Sequence, residues 1–200
     1  FFMQGMTYEI EFVPVDTTLQ KVVYEDHSVT VETVPLRHRV PCCGYIFREK
    51  PTLPHIRRDM IDYYGIPLSQ INNIKNGADW TTPEGDIVPN SRLVEPADAP
   101  RSYAYCSDTC YLPDLYERVK DVTVLYHEST YTSENEDRAK IYYHSTARQA
   151  ALVAQKAGAG RLLLGHYSAR YNNENVLLEE AKAVFPESYL SQEGMVFEVK

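Results

Sequence analysis

Five side chains in this sequence could do chemistry together: His38, Asp108, Glu128, His144 and His166. Imidazoles and carboxylates at separate loop positions suit a zinc or manganese centre better than a nucleophile triad. Such ions draw nitrogen and oxygen donors from several elements at once. No serine sits in a G-x-S-x-G elbow, and neither a P-loop nor a glycine-rich dinucleotide turn is present. Taken singly, a histidine beside a helix cap is more often a hydrogen-bonded structural residue than a catalyst. The set argues otherwise. His38, Asp108, Glu128 and His166 each follow an apolar run that reads as a strand, and His144 precedes a helix.

The elements that must position them centre on Ile141 to Tyr171. Thr146-Ala-Arg-Gln149 fits a capping box, in which the hydroxyl accepts an amide N–H and Gln149 reaches back. Ala147, Ala150, Ala151, Ala154 and Ala157 follow helical spacing and form a narrow face that can lie close against a sheet. Gly158 and Gly160 mark the helix end and turn. Arg161-Leu-Leu-Leu-Gly165 is the short apolar run of a buried strand. His166 then falls just past the C-terminal end of that strand, where α/β layers usually place their chemistry.

Upstream, Tyr8 to Phe12 alternates like a strand, and Gln20–Tyr24 and Ser28–Pro35 read as two more, with Gly44–Arg48 following. His38 lies in the loop between the last two. Ser102 to Thr109 is a strand ending on Asp108, Leu112–Lys120 a helix, and Val122–Tyr126 a strand running into His127-Glu128-Ser129-Thr130. Asn175–Val184 is a helix stopped at Phe185-Pro186, and Met195–Val199 is a final strand. The first six residues, Phe1 to Met6, are too apolar for a solvated tail and too short for a signal sequence. They read as a chain cut inside a packed element.

Between Lys50 and Pro100 the character changes. Seven prolines punctuate it and core-forming runs are scarce. Arg57–Tyr64 is expected to be a short helix ended by Gly65, and Leu68–Lys75 another; Thr82-Pro-Glu-Gly85 is a turn. The domain division expected is therefore 1–49 with 101–200 as the body, and 50–100 as an inserted arm. His55, Arg57, Arg58 and Lys75 make the arm locally basic, although solvated helix faces would look the same.

Two hundred residues suffice for one good-sized domain with an appendage. A net charge of −8 argues against nucleic-acid binding over the whole surface, though not against a local basic patch. Tyrosine dominates the aromatics, sixteen against six Phe and one Trp, so many rings keep a polar end. No apolar run approaches a membrane span. Cys42, Cys43, Cys106 and Cys110 lack structural-zinc spacing and read as reduced cytosolic thiols.

Several segments together carry a family resemblance. Pro35-Leu-Arg-His38 through Gly44-Tyr45, Tyr105-Cys-Ser-Asp108-Thr109, His127-Glu-Ser-Thr130, His144-Ser-Thr-Ala-Arg-Gln-Ala-Ala151 and His166-Tyr-Ser-Ala-Arg-Tyr171 look like successive motifs of ribonuclease Z. That family is the tRNA 3′-trailer endonuclease of the metallo-β-lactamase fold. The resemblance runs in order from about Tyr8 to the C-terminus. It implies an α/β fold, an αββα sandwich that is here incomplete, with a flexible arm inserted.

The resemblance also implies roles. His38, Asp108 and His166 would be metal ligands, with Asp108 bridging two zinc ions. His144 and Glu128 would stand beside the scissile phosphate, His144 as proton donor. Ser168 and Arg170 would flank the tRNA 3′ end, and the arm, with Arg57, Arg58 and Lys75, would grip precursor tRNA. A cytoplasmic homodimer without membrane association is implied. The family's His-x-His-x-Asp-His segment does not occur in these residues, so the chain resembles the C-terminal two-thirds of such an enzyme. A missing N-terminal half would supply the remaining ligands, and the isolated chain is expected to be inactive and to hold zinc poorly.

Overall fold

The computed structural model describes residues 7–200, so the expectation for Phe1 to Met6 lies outside the described residues. In chain order the elements begin with β1 (Val22–Glu25), β2 (Val29–Pro35) and β3 (Cys43–Glu49). Next come small elements: β4 (His55–Ile56), α1 (Arg58–Tyr64), α2 (Leu68–Lys75), β5 (Trp80–Thr81), β6 (Ile87–Val88), α3 (Asn90–Leu93) and β7 (Val94–Glu95). The last part holds β8 (Ser102–Cys106), α4 (Leu115–Arg118), β9 (Val124–Glu128), α5 (Glu136–Tyr142), α6 (Ala147–Ala157), β10 (Arg161–Gly165), α7 (Asn175–Lys182) and β11 (Ser188–Leu190).

Two compact units result. The larger comprises the chain up to Glu25, Thr30–Phe47 and Ser102–Lys200; the smaller is Asp26–Val29 with Arg48–Arg101. In the larger unit seven strands form one sheet in the order β1-β2-β3-β8-β9-β10-β11. β8, β9, β10 and β11 run parallel, so their C-terminal ends lie along one edge. Helices α4, α6 and α7 pack together, with α6 and α7 against the strands.

Local sequence explains the central helix. Thr146 Oγ1 accepts from the Gln149 amide at 3.2 Å, and Gln149 Oε1 accepts from the Thr146 amide at 3.0 Å, which completes the capping box. Gly158 closes the helix in the left-handed conformation at φ 65°. Ala147, Ala150, Ala151, Ala154 and Ala157 are all buried. They share one core with Ala104, Cys106, Leu125, Leu162 and Leu164 of the sheet. Because side chains alternate across a strand, the opposite face carries Tyr103, Tyr105 and Tyr126. Tyr105 and Tyr126 stack at 4.7 Å between ring centroids. Burial pushes the phenols of Tyr103 and Tyr126 up to about 12. Gly44 is required on β3, since a Cβ there would lie 2.3 Å from the Tyr105 carbonyl oxygen.

The smaller unit has its own core of Ile66, Ile74, Val88 and Leu93, with Ile56 and Trp80 against it. Asn90 Nδ2 donates to the carbonyls of Ile74 (2.6 Å) and Ala78 (2.9 Å), joining α2 to the start of α3. The two ends of the unit meet where the Glu49 amide donates to the Arg101 carbonyl at 2.9 Å. Arg101 Nε also donates to Glu49 Oε2 at 2.9 Å.

Three expectations need correction. Tyr8–Phe12 forms no strand and Phe12 is 80% exposed; alternation makes a strand only where a sheet edge accepts it. Met195–Val199 is likewise no strand, and the final strand is Ser188–Leu190, seated parallel on β10. The helix at Leu112–Lys120 shrinks to Leu115–Arg118; Leu112 precedes Pro113 and is biased away from the helical region. Helix α5 lies in an acidic stretch to which the sequence reading assigned no element.

Candidate metal and phosphodiester site

The site grows from the parallel edge. β8 delivers Asp108 two residues past its end, β9 ends on Glu128, and β10 leads at once into His166. Register places Cys106 beside His127 and Gly165 beside Glu128, so these three chain segments arrive side by side. His144 comes from the turn between α5 and α6, where Tyr143 adopts φ 62° and the His144 amide donates to Ala139 O at 2.8 Å. Asp108, Glu128, His144 and His166 each offer a ligand-type atom, and these atoms lie within 4.8 Å of one another.

Glu128 is the hub. Its carboxylate is fully buried and takes four donors. Oε1 accepts from the Thr109 amide (2.6 Å) and His144 Nδ1 (3.0 Å); Oε2 accepts from Thr130 Oγ1 (2.6 Å) and the Ser145 amide (3.0 Å). Burial alone pushes this carboxyl up, yet the hydrogen bonds from His144, Ser145 and Thr130 outweigh it and hold it below the ordinary carboxylate value. The same bond to Glu128 raises His144 above the ordinary histidine value, against the opposing effect of burial. An ionised Glu128 with all four lone-pair sites used has none left for a metal ion. It orients His144 instead, whose Nε2 remains for other partners.

Asp108 and His166 stand outside this buried hub. His166 Nε2 lies 2.8 Å from Asp108 Oδ1, and their side chains are 40% and 50% exposed. Both hold positive φ, 56° and 55°, a conformation costly for residues other than glycine and seen at functional sites. Thr130 Oγ1 reaches both Nδ1 (2.9 Å) and the carbonyl (3.0 Å) of His166. His38 Nδ1 lies 3.0 Å from the Tyr143 carbonyl; as donor there it leaves Nε2 a free lone pair, the arrangement of a metal-binding histidine. Its ring lies 5.1 Å from that of His144, and His144 lies 5.1 Å from His166. Of the three expected ligands, Asp108 and His166 fall within the cluster that could hold a cation, and His38 is not one of its four residues.

The remaining expected residues sit further out. Arg170 donates to Asn135 Oδ1 at 3.0 Å and to Ser168 Oγ at 3.3 Å, and its guanidinium covers the Tyr131 ring at 5.2 Å. Arg57 is tied to Asp59 at 2.8 Å; Arg58 opens α1 and Lys75 closes α2, all within the smaller unit. His127 stays apart from the cluster, wholly buried, with Nδ1 2.7 Å from the Glu128 carbonyl oxygen. Sequence reasoning missed Thr130 and the amides of Thr109 and Ser145. Each neighbours or shares a motif with a residue it did single out, and that adjacency was the available signal.

Sheet, helices and site define a class. In overall fold the chain is similar to the metallo-β-lactamase fold protein YhfI from Bacillus subtilis, with TM-score 0.58 and 16% identity over 93% of this chain and 55% of that one. The short form of human tRNase Z gives 0.51 and 20% over 92% and 48%. The chain has the metallo-β-lactamase fold. No family model matches it. Proteins named Ribonuclease Z from Bacteroides fragilis and Phocaeicola vulgatus are 49% and 48% identical to it over 98% and 100% of its length. The chain is homologous to ribonuclease Z throughout, and it spans about 64–65% of the length of these relatives.

Proposed function

We propose that this chain carries the site of a zinc-dependent endoribonuclease that removes the 3′ trailer from tRNA precursors. The tRNA would keep a 3′-hydroxyl and the trailer a 5′-phosphate. The carrying observation is the meeting of Asp108, Glu128, His144 and His166 at one sheet edge in a homologue of ribonuclease Z. In this reading His38, Asp108 and His166 would hold the metal. When bound, the metal supplies Lewis-acid chemistry, lowering the pKa of water and neutralising phosphate charge. His144, held at Nδ1 by Glu128, presents Nε2 to the leaving 3′-oxygen and donates a proton there. Glu128 stays ionised and keeps the imidazole oriented. Ser168 and Arg170 border the path of the tRNA 3′ end. Residues 50–100, with Arg57, Arg58 and Lys75, act as the tRNA-gripping arm of a homodimer in the cytoplasm. Among the described residues no helix is long and apolar enough to cross a membrane.

A second reading is a tRNA-binding piece without catalysis. It is favoured by ligand count: three protein ligands serve one catalytic zinc, and two ions need more. The test measures zinc retained after dialysis and the products formed from a tRNA precursor with a short trailer. Zinc should be held weakly and cleavage should be slow. Any product must end in a 3′-hydroxyl at the discriminator nucleotide, and His144→Ala should reduce its rate by about 10²–10⁴-fold without changing zinc content. Cleavage elsewhere, or cleavage indifferent to His144→Ala, overturns the enzyme reading. Binding that never leads to a cut at saturating zinc supports the second.

A further inference from the structure

Two cavities open beside the histidine pair, and they differ in charge. One, of about 510 Å³, reaches His166 and carries two carboxylates, Glu174 and Glu193, with no cation in its wall. The other, of about 430 Å³, reaches His144 and is lined by Arg37, Cys110, Tyr111, Lys140 and Tyr143. Its one carboxylate, Glu136, already accepts from Gln149 Nε2 at 3.2 Å. A polyanion is repelled from the first and drawn to the second.

The cations of the second cavity are fixed to the site's own framework. The Arg37 amide donates to Thr109 Oγ1 at 3.2 Å, and the Cys110 amide donates to the Arg37 carbonyl at 2.8 Å. Arg37 is thus seated against the Asp108–Cys110 loop, its guanidinium 5.9 Å above the Tyr143 ring. Lys140 stands on the last turn of α5, the turn that leads through Tyr143 into His144. The volume lies within the range of cavities that bury a small ligand and is large enough for one nucleotide.

We propose that this cavity holds the nucleotide on the 5′ side of the scissile bond, with Arg37 and Lys140 contacting its phosphates. The assignment of side rests on the functional reading above. His144 protonates the 3′-oxygen that leaves, so the nucleotide carrying that oxygen lies on the His144 side of the centre.

The test titrates the isotope-labelled 200-residue chain with adenosine 3′-monophosphate, adenosine 5′-monophosphate and inorganic phosphate, with amide shifts as the readout. The 3′-monophosphate mimics the upstream nucleotide with its scissile phosphate and should bind tightest, moving the Arg37, Cys110, Lys140 and Tyr143 signals. Arg37→Ala and Lys140→Ala, both at exposed positions, should each weaken it roughly two- to tenfold. Glu174→Gln should leave it unchanged. Equal affinity for inorganic phosphate, tighter binding of the 5′-monophosphate, shifts confined to the Glu174 cavity, or no binding at all overturns the proposal. Selective binding here by a chain that never cuts a tRNA precursor leaves the subsite standing while the enzyme reading falls.

Discussion

Thr130 shows how one hydroxyl can serve two parts of the site. It has a single proton, and the nearest acceptor is the ionised Glu128 at 2.6 Å. Its lone pair is then free to accept from His166 Nδ1 at 2.9 Å, and with a cation bound, His166 Nε2, which lies 2.8 Å from Asp108 Oδ1, would be the donor atom to it. Thr130→Val keeps the shape and removes the bond. Stability should fall by about 1–3 kcal/mol, because a buried carboxylate loses a donor. Zinc affinity should fall about 10–100-fold, the usual effect of losing a ligand's outer partner. Thr130→Ser should restore both. Denaturant unfolding and a competitive zinc titration would measure them, and a valine variant with unchanged zinc affinity would refute the assignment. His144 adds a pH dependence. Its folded pKa is raised above 6.5 by Glu128, so the stability it contributes is complete below that value and is lost as pH rises through the folded pKa.

Among the elements, the neck of the smaller unit is where β3 ends and β8 is about to begin. Glu49 and Arg101 exchange both a backbone bond and side-chain bonds there. Hydrogen bonding from Arg101 holds the Glu49 carboxyl down at about 2. A depressed carboxylate contributes stability that is present above its ordinary value of 4.5 and is lost as pH falls through about 2. Glu49→Gln should therefore speed hydrogen exchange at the Glu49 and Arg101 amides at neutral pH, and the difference should vanish near pH 2. The pair is exposed, so the global melting temperature should hardly move. A large global loss would mean that the pair stabilises far more than the junction.

At the scale of the whole molecule, the two units have separate cores. Ile74 is 1% exposed in the smaller, and Leu164 is fully buried in the larger. Ile74→Ala should cost about 2–5 kcal/mol, the usual range for such a cavity. The loss should be local. Amide exchange should rise across α1, α2 and β5–β6, while protection in β9 and β10 and the zinc affinity of the site persist. Uniform loss of protection through both units would show that they unfold as one. The net charge of −8 belongs to this scale too: an RNA partner must be held by local cations, since the average surface repels it.

Local physics was legible in the sequence. The Thr146–Gln149 box, the alanine face of α6 and the left-handed stops at Gly65 and Gly158 depend on residues within a few positions of each other. The apolar runs ending near Asp108, Glu128 and His166 likewise pointed to strands and to where a site could lie. Tertiary structure alone decided the rest. Two alternating stretches, Tyr8–Phe12 and Met195–Val199, found no sheet edge, while the less conspicuous Ser188–Leu190 did. Pairing depends on distant neighbours, so alternation is permissive and never sufficient. Nor could composition assign Glu128 its place. The sequence marks the residue as a carboxylate at a strand end, but only β8, the α5–α6 turn and its own strand bring four donors to it in a buried position. Burial with full hydrogen bonding separates an orienting carboxylate from the half-exposed Asp108, and both conditions arise only when segments far apart in the chain are packed together.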